Sequence, residues 1–459
     1  MTVLALSVGQ ESLWTLYRVA PDSAAYNDAD GLAFRPAPDE AALRAALRDL
    51  ASRHDLLRSR FHDGPGHAVR EVRDPGLVDL EVRDVPGGGD PRTALRRSVR
   101  AIAAEPLDLE GRGPLRAVLL RRPADAVLVL VCHHIAGDAT SQRIIWRDLL
   151  EFYRARIAGD APALPALRST YDDFVRAERE MLGSERGAEL AGYWRDECAG
   201  ARPAELPTSR PRPDTPGFRG STVDRRLDDD LADRVREAAR TRGITPFALT
   251  LGAFQALVHR YVAGGDLLIG CPTTLRRSLA TRDLVGLLVN TVPLRSGLAP
   301  STTFEEVAAA AAARLGAASR RARFPFALME GGGEAGKPGR APALRIGITM
   351  VGGRGDPLLD LAASGEWMEH AGHRIAVLDL PRLEGQTDLT VEIGQSTGGL
   401  SVAFRYDVDL FTGEAVTRLL ERFLRFVRVS VDDPAAEVGR VPLAEDAGEI
   451  ASLLALGSG

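Results

Sequence analysis

Two adjacent histidines close an apolar run in AVLVLVCHHIAGDATSQRIIW, residues 126–146, and an aspartate follows four positions after the second. A free imidazole titrates near ~6.5, so a histidine at the mouth of a cleft suits proton handling at neutral pH. The two histidines cannot share that task, because neighbours on a strand point to opposite faces. One can reach a cleft while the other packs behind it, and a turn at Gly137 can bring Asp138 back beneath the loop. A purely structural account covers the same residues: His133 and His134 end a buried strand and Asp138 caps the helix that follows. Cys132, inside the apolar run, is a small buried thiol rather than an acyl-accepting nucleophile. His54 is read as a surface or packing residue on a helix. The acidic run at 228–230 is read as a solvated helix start that suits the helix dipole.

These side chains require a strand, a loop and a helix in that order. Residues 126–134 read as a continuous buried strand, and Ile145, Leu149 and Phe152 beyond it recur at i, i+4 and i+7, the spacing of one helix face. A second strand is expected over 288–295 and a hairpin from 389–393 and 400–406. Thr245 and Pro246 form an N-cap and first-turn pair for a helix in which Leu249, Phe254 and Leu257 share a buried side. Strands and helices in mixed order make the chain α/β, or mixed α+β. No internal sequence repeat is visible. Two proline- and glycine-rich passages interrupt the pattern, an extended crossing segment at 199–220 and a mobile loop at 331–342. They divide the chain into an N-terminal lobe at 1–180, a linker at 181–220 and a C-terminal lobe at 221–459.

Composition narrows the function. A chain of 459 residues, 45% hydrophobic, fills more than one core. With 58 basic against 63 acidic residues, interspersed to a net charge of −5, it has no basic stripe for nucleic acid. Three cysteines, none in a CxxC pair, argue against a disulfide framework and against a zinc site. No run reaches the ~20 apolar residues of a membrane span, and the first residues lack a basic signal-peptide start. A cytoplasmic protein without nucleic-acid or membrane partners is expected, with no bound metal.

HHIAGDA, 133–139, resembles the HHxxxDG signature of the condensation domains of nonribosomal peptide synthetases, within the chloramphenicol-acetyltransferase-like acyltransferases. Other segments agree in order. SVGQESLW (7–14) is similar to SxAQxRLW, RHDLLRSRF (53–61) to RHExLRTxF, and TYDDF (170–174) to YxDF. IGCPTTLRR (269–277) and VGLLVNTVPLR (285–295) resemble IGTPVAGR and VGFFVNTLVLR, and TDLTVEIG and FRYDVDLF match the last segments, so the likeness runs through essentially the whole chain. It implies two chloramphenicol-acetyltransferase-like lobes in a V-shaped pseudo-dimer with an active-site tunnel between them. It implies no tightly bound cofactor: 4'-phosphopantetheine arrives on partner carrier proteins. A donor carrier brings the acyl or aminoacyl thioester, and an acceptor carrier or a free small-molecule nucleophile attacks it, giving an amide or an ester. By the same likeness His134 is catalytic, His133 supports it, and Asp138 is mainly structural and pairs with Arg276. Gly137, Ala139 and Asn290 line the substrate path. A monomer is expected.

Three departures from the pattern stand out. Ala139 replaces the motif glycine, adding a methyl and restricting φ if the position is left-handed. Ser12 replaces an arginine, and ARFPFAL (322–328) keeps only the Pro-Phe of HQDxPFE. Relatives of other function stay in view: an epimerisation domain would not be expected to keep VNTVPLR, a heterocyclisation domain carries aspartates for the histidines, and a noncatalytic recruiting domain typically loses the second histidine or the motif glycine, of which only the glycine is altered here.

Overall fold

The computed structural model describes residues 2–443 apart from 86–89, 124, 214–216, 218, 263–264, 330–343, 353–356, 379, 381–386 and 398. The loop expected at 331–342 lies outside the described residues. The rest forms two compact units of mixed α/β build.

The first unit holds Met1–Ser184 and two later returns, Thr274–Val289 and Gly355–Glu384. Its central sheet runs, strand by strand, Met368–His370, His373–Leu378, Asn27–Arg35, Ala126–His133, Leu115–Arg121, Leu80–Asp84. Only the last pair is parallel. All eight residues of Ala126–His133 are buried, as an uninterrupted apolar run requires of a central strand covered on both faces. Helix Ala139–Ala158 follows it and packs against helix Glu40–Arg53. Of the helix face expected there, Ile145 and Leu149 are buried. Phe152 is only half-buried, and Tyr153 takes the inner position. Its hydroxyl accepts from the Asp39 amide at 3.0 Å and donates to His373 at 2.9 Å. His54 is buried rather than on the surface: its ring lies 2.8 Å from Asp148 of helix Ala139–Ala158, and burial holds its pKa below the usual histidine value.

The second unit holds Glu185–Thr273, Asn290–Arg354 and Gly385–Gly459. Its sheet runs Val289–Gly297, Asp266–Thr274, Ile346–Gly352, Leu389–Ser396, Gly399–Asp407, Gly220–Arg226, and the expected hairpin is the antiparallel pair Leu389–Ser396 and Gly399–Asp407. Helix Pro246–Tyr261 starts as its residues dictate, with the Thr245 side chain accepting from the Ala248 amide. Its burial is not one-sided, however, since every residue from Phe247 to Val258 is inside. Helices Asp229–Thr241, Phe304–Arg321 and Gly413–Asp432 surround it. Gly252 permits a close approach of helix Phe304–Arg321: a Cβ there would sit 3.2 Å from the Ala308 backbone.

The units are therefore not contiguous in sequence. Two stretches of the expected 221–459 lobe belong to the first unit: strand His373–Leu378 takes its backbone partners from Asn27–Arg35, and Arg276 and Leu288 of the other stretch bond Asp138. The proline-rich segment is also more than a crossing. Arg202–Pro203 adds a short parallel strand beside Asp266–Thr274, and the Ser209 and Arg210 amides donate to the Leu410 carbonyl.

Candidate active site

The central strand stops at His133, and His134–Ala136 form a single 3-10 turn before Asp138 opens the helix. Asp138 is a true N-cap, with its side chain accepting from the Ser141 amide at 2.8 Å. The two histidines part as strand geometry demands. His133 is buried, and its Nδ1 accepts the Ile135 amide at 3.1 Å, which leaves the proton on Nε2. Burial, helped by the neighbouring His134, pushes its pKa down to about 3, so it stays neutral. The rings of Tyr17 and Tyr26 flank it. His134 keeps 24% of its side chain in solvent, and its Nδ1 lies 2.9 Å from Oδ2 of Asp28 on strand Asn27–Arg35.

Below this turn Asp138 is the centre of a buried polar cluster. Oδ1 accepts from the amide and hydroxyl of Ser141, at 2.8 and 3.0 Å. Oδ2 accepts from Arg276 Nη1 at 2.6 Å and from the Leu288 amide at 2.9 Å. Arg276 and Asp138 are each only 5% exposed. The other arm of Arg276 donates to the Ser141 hydroxyl and to the Leu284 and Gly286 carbonyls. A buried ion pair repays its desolvation better the more of its donors and acceptors are satisfied, and here the carboxylate accepts four hydrogen bonds while the buried Nε of Arg276 has no hydrogen-bond partner among the described residues.

The other sequence segments of the first unit assemble around the same turn. Ser7 and Gln10 form a capping box at the start of helix Val8–Val19, and Nε2 of the Gln10 side chain donates to the Ile135 carbonyl at 2.8 Å. The Tyr171 hydroxyl bonds the Ser7 hydroxyl and the Leu287 carbonyl. Gly286 lies against the Tyr171 ring so closely that a Cβ would come within 2.3 Å of it, which accounts for glycine at that position. Arg70, fully buried, ties Ser59 to Asp172.

Of the residues singled out in the sequence, His133, His134, Gly137, Asp138 and Arg276 come together here. Ala139 is exposed and is the first residue of the helix, so its φ is not left-handed and the methyl strains no backbone. Gly137 is extended at φ −163°, a conformation open to any residue, and its amide donates to the His134 carbonyl. Asn290 belongs to the second unit, and there its side chain is occupied by backbone: it donates to the Ala322 and Phe324 carbonyls and accepts from the Phe326 amide. Sequence reasoning overlooked Asp28, Gln10 and Ser141. Asp28 lies in the segment NDAD, where carboxylates at the start of a strand that continues into the buried run Gly31–Phe34 are a usable signal. Cys132, Cys198 and Cys271 are buried, and burial raises all three thiols, to about 11 for Cys198 and about 12 for Cys271. None is poised as a nucleophile. Among the described residues no cluster of metal-binding side chains occurs and no helix is long and apolar enough to cross a membrane.

A strand ending in paired histidines, followed by a helix capped by an arginine-bound aspartate, defines a class that comparison identifies. The condensation-domain model matches residues 1–451, and the chain belongs to that family. It is 33% identical to the probable non-canonical nonribosomal peptide synthetase CymA of Salinispora arenicola, over 95% of this chain and 6% of that protein. It is 31% identical to the phosphinothricin tripeptide synthetase PhsC of Streptomyces viridochromogenes, over 95% of this chain and 40% of the relative. The chain thus spans less than half the length of either relative. Among solved structures it matches the X-domain from teicoplanin biosynthesis with a TM-score of 0.81 and 26% identity, covering 95% of this chain and 97% of that one. The SgcC5 protein of Streptomyces globisporus matches at 0.74 and 26%, covering 94% and 100%.

Proposed function

We propose that this chain is a condensation enzyme of nonribosomal peptide biosynthesis, joining a carrier-bound acyl or aminoacyl thioester to an amine, or to an alcohol. The observation that carries this reading is His134, held part-exposed at the end of a buried strand with its Nδ1 2.9 Å from Oδ2 of Asp28. A thioester is already activated, and much of the barrier to its aminolysis is met by holding amine and carbonyl in line, an effect that reaches ~7–11 kcal/mol in favourable cases. The amine nitrogen bonds to the thioester carbon and passes its proton to His134. The tetrahedral intermediate then expels the thiolate, which leaves on its phosphopantetheine arm and takes a proton. The oxyanion needs donors near the histidine turn. The Gly137 amide donates to the His134 carbonyl, so the role falls to the amides that follow it at the helix start, those of Asp138 and Ala139. Asp138 and Arg276 act through position, by fixing the turn. Phosphopantetheine belongs to the carrier-borne substrate, and the carriers are the protein partners in this reading.

The likeness to the teicoplanin X-domain, which has been solved in complex with OxyB, favours a second reading as a noncatalytic recruitment module. One experiment separates the two. Purified protein is incubated with acyl-loaded carrier proteins and a panel of amines and alcohols, in deuterated buffer, and products are read by mass spectrometry. Coupled products that disappear with His134→Ala support condensation. No product from any pairing overturns it, and deuterium at the α-carbon of an uncoupled aminoacyl carrier would mark an epimerase instead.

A further inference from the structure

We infer that Asp28 is a positioning residue for His134, fixing the tautomer that makes Nε2 the proton acceptor; this rests on the proposed catalytic role of His134. The argument starts from β geometry. Asp28 stands opposite Cys132 in the antiparallel register between Asn27–Arg35 and Ala126–His133, one residue pair from the end of the histidine strand. The backbone there is pinned, since the His134 amide donates to the Tyr26 carbonyl at 2.8 Å. The turn residue is therefore folded back toward the strand that carries Asp28. The carboxylate is 14% exposed and reaches His134 Nδ1 at 2.9 Å. An ionised carboxylate only accepts hydrogen bonds, so Nδ1 carries the hydrogen and the lone pair lies on Nε2.

The neighbouring histidine has the opposite assignment. His133 Nδ1 accepts a backbone amide, which places its hydrogen on Nε2. Two adjacent imidazoles thus hold opposite tautomers, one set by a peptide N–H and the other by a side chain on the neighbouring strand. Only the tautomer of His134 can be changed by substitution without altering the backbone. Deleting Asp28 allows the ring to populate both tautomers and to rotate, and the productive fraction falls.

The test uses the full chain labelled with 15N-histidine. Two-bond nitrogen–proton correlations, recorded well above the imidazole range, report which nitrogen is protonated, and the His134 signals are those lost in His134→Ala. The wild type should show Nδ1–H for His134. Asp28→Ala and Asp28→Asn should move it to Nε2–H or to a mixture, with the melting temperature little changed. With the acyl carrier and amine that give product in the panel above, both variants should lose about 10–100-fold in kcat at nearly constant KM, less than the ~10²–10⁴ that a positioned base contributes as a whole. Asp28→Glu should recover part of the loss. An Nε2–H tautomer in the wild type, or Asp28 variants with unchanged tautomer and turnover, would overturn the inference while leaving the catalytic role of His134 intact. Full activity in His134→Ala would overturn that role instead, whatever the tautomer.

Discussion

The two units contain the same junction built twice. In the first, hairpin Leu115–Arg121 and Ala126–His133 leads into the 20-residue helix Ala139–Ala158. In the second, hairpin Leu389–Ser396 and Gly399–Asp407 leads into the 20-residue helix Gly413–Asp432. The last strand residue and the cap are equally spaced, His133 to Asp138 and Asp407 to Thr412. Even the backbone repeats: the His134 amide donates to the Tyr26 carbonyl at 2.8 Å, and the Val408 amide to the Arg219 carbonyl at 2.9 Å. The side chains differ. Where one junction has His134, the other has Val408. Asp138 accepts four hydrogen bonds, one of them from an arginine, while Thr412 accepts one amide, Ala415, at 3.3 Å. The backbone route supplies a place for a reactive side chain, and the residues brought to that place supply the chemistry.

The largest test of this contrast is in turnover. His134→Ala should lower product formation by about 10²–10⁴-fold with a near-native melting temperature. Val408→Ala at the matching place should leave turnover unchanged. Equal losses would remove the asymmetry. Next in size is the stability of the caps. Asp138→Ala and Arg276→Ala should each cost about 3–5 kcal/mol in urea unfolding, because either leaves a buried charge unpaired. The double variant should cost less than the sum. Thr412→Ala should cost about 1 kcal/mol, and a larger loss there would mean that the second cap is also a hub.

A smaller effect sharpens the difference between the two histidines. His133 has its folded pKa pushed down to about 3, below the ordinary ~6.5, so the unfolded chain binds the extra proton first. Its contribution to stability is complete above ~6.5 and is lost as pH falls toward 3, at up to about 1.4 kcal/mol per pH unit. Comparing unfolding free energies at pH ~6.5 and ~5, His133→Gln should show a shallower decline than the wild type. Parallel declines would show that His133 does not carry this dependence.

Local order was legible where one residue type dictates it. The apolar run at 126–133, the Thr245–Pro246 helix start and the Asp138 cap were each readable from their own neighbours. The pairing of Asp138 with Arg276 was legible only through family likeness, since 138 residues separate the two. The partner of His134 could not be matched to it: NDAD marks an unusual carboxylate, but strand register decides that Asp28 faces the turn. The doubled junction was invisible for a related reason: what repeats is spacing and backbone hydrogen bonding, which constrain residue identity only weakly.

The return of strand His373–Leu378 to the first sheet has a consequence for biosynthesis. His373 meets Pro36 across 337 residues of chain. At about 5–20 residues per second the ribosome needs roughly 20–70 s to make that interval. Once Ala126–His133 has been made, and until His373–Leu378 follows, strand Asn27–Arg35 has that partner on one side and an unpaired edge, with Leu32 and Phe34, on the other. Such an edge invites pairing with a second nascent chain. The first unit thus passes its most aggregation-prone interval while the second is still being made, and a fragment cut at the proline-rich segment would keep that open edge permanently.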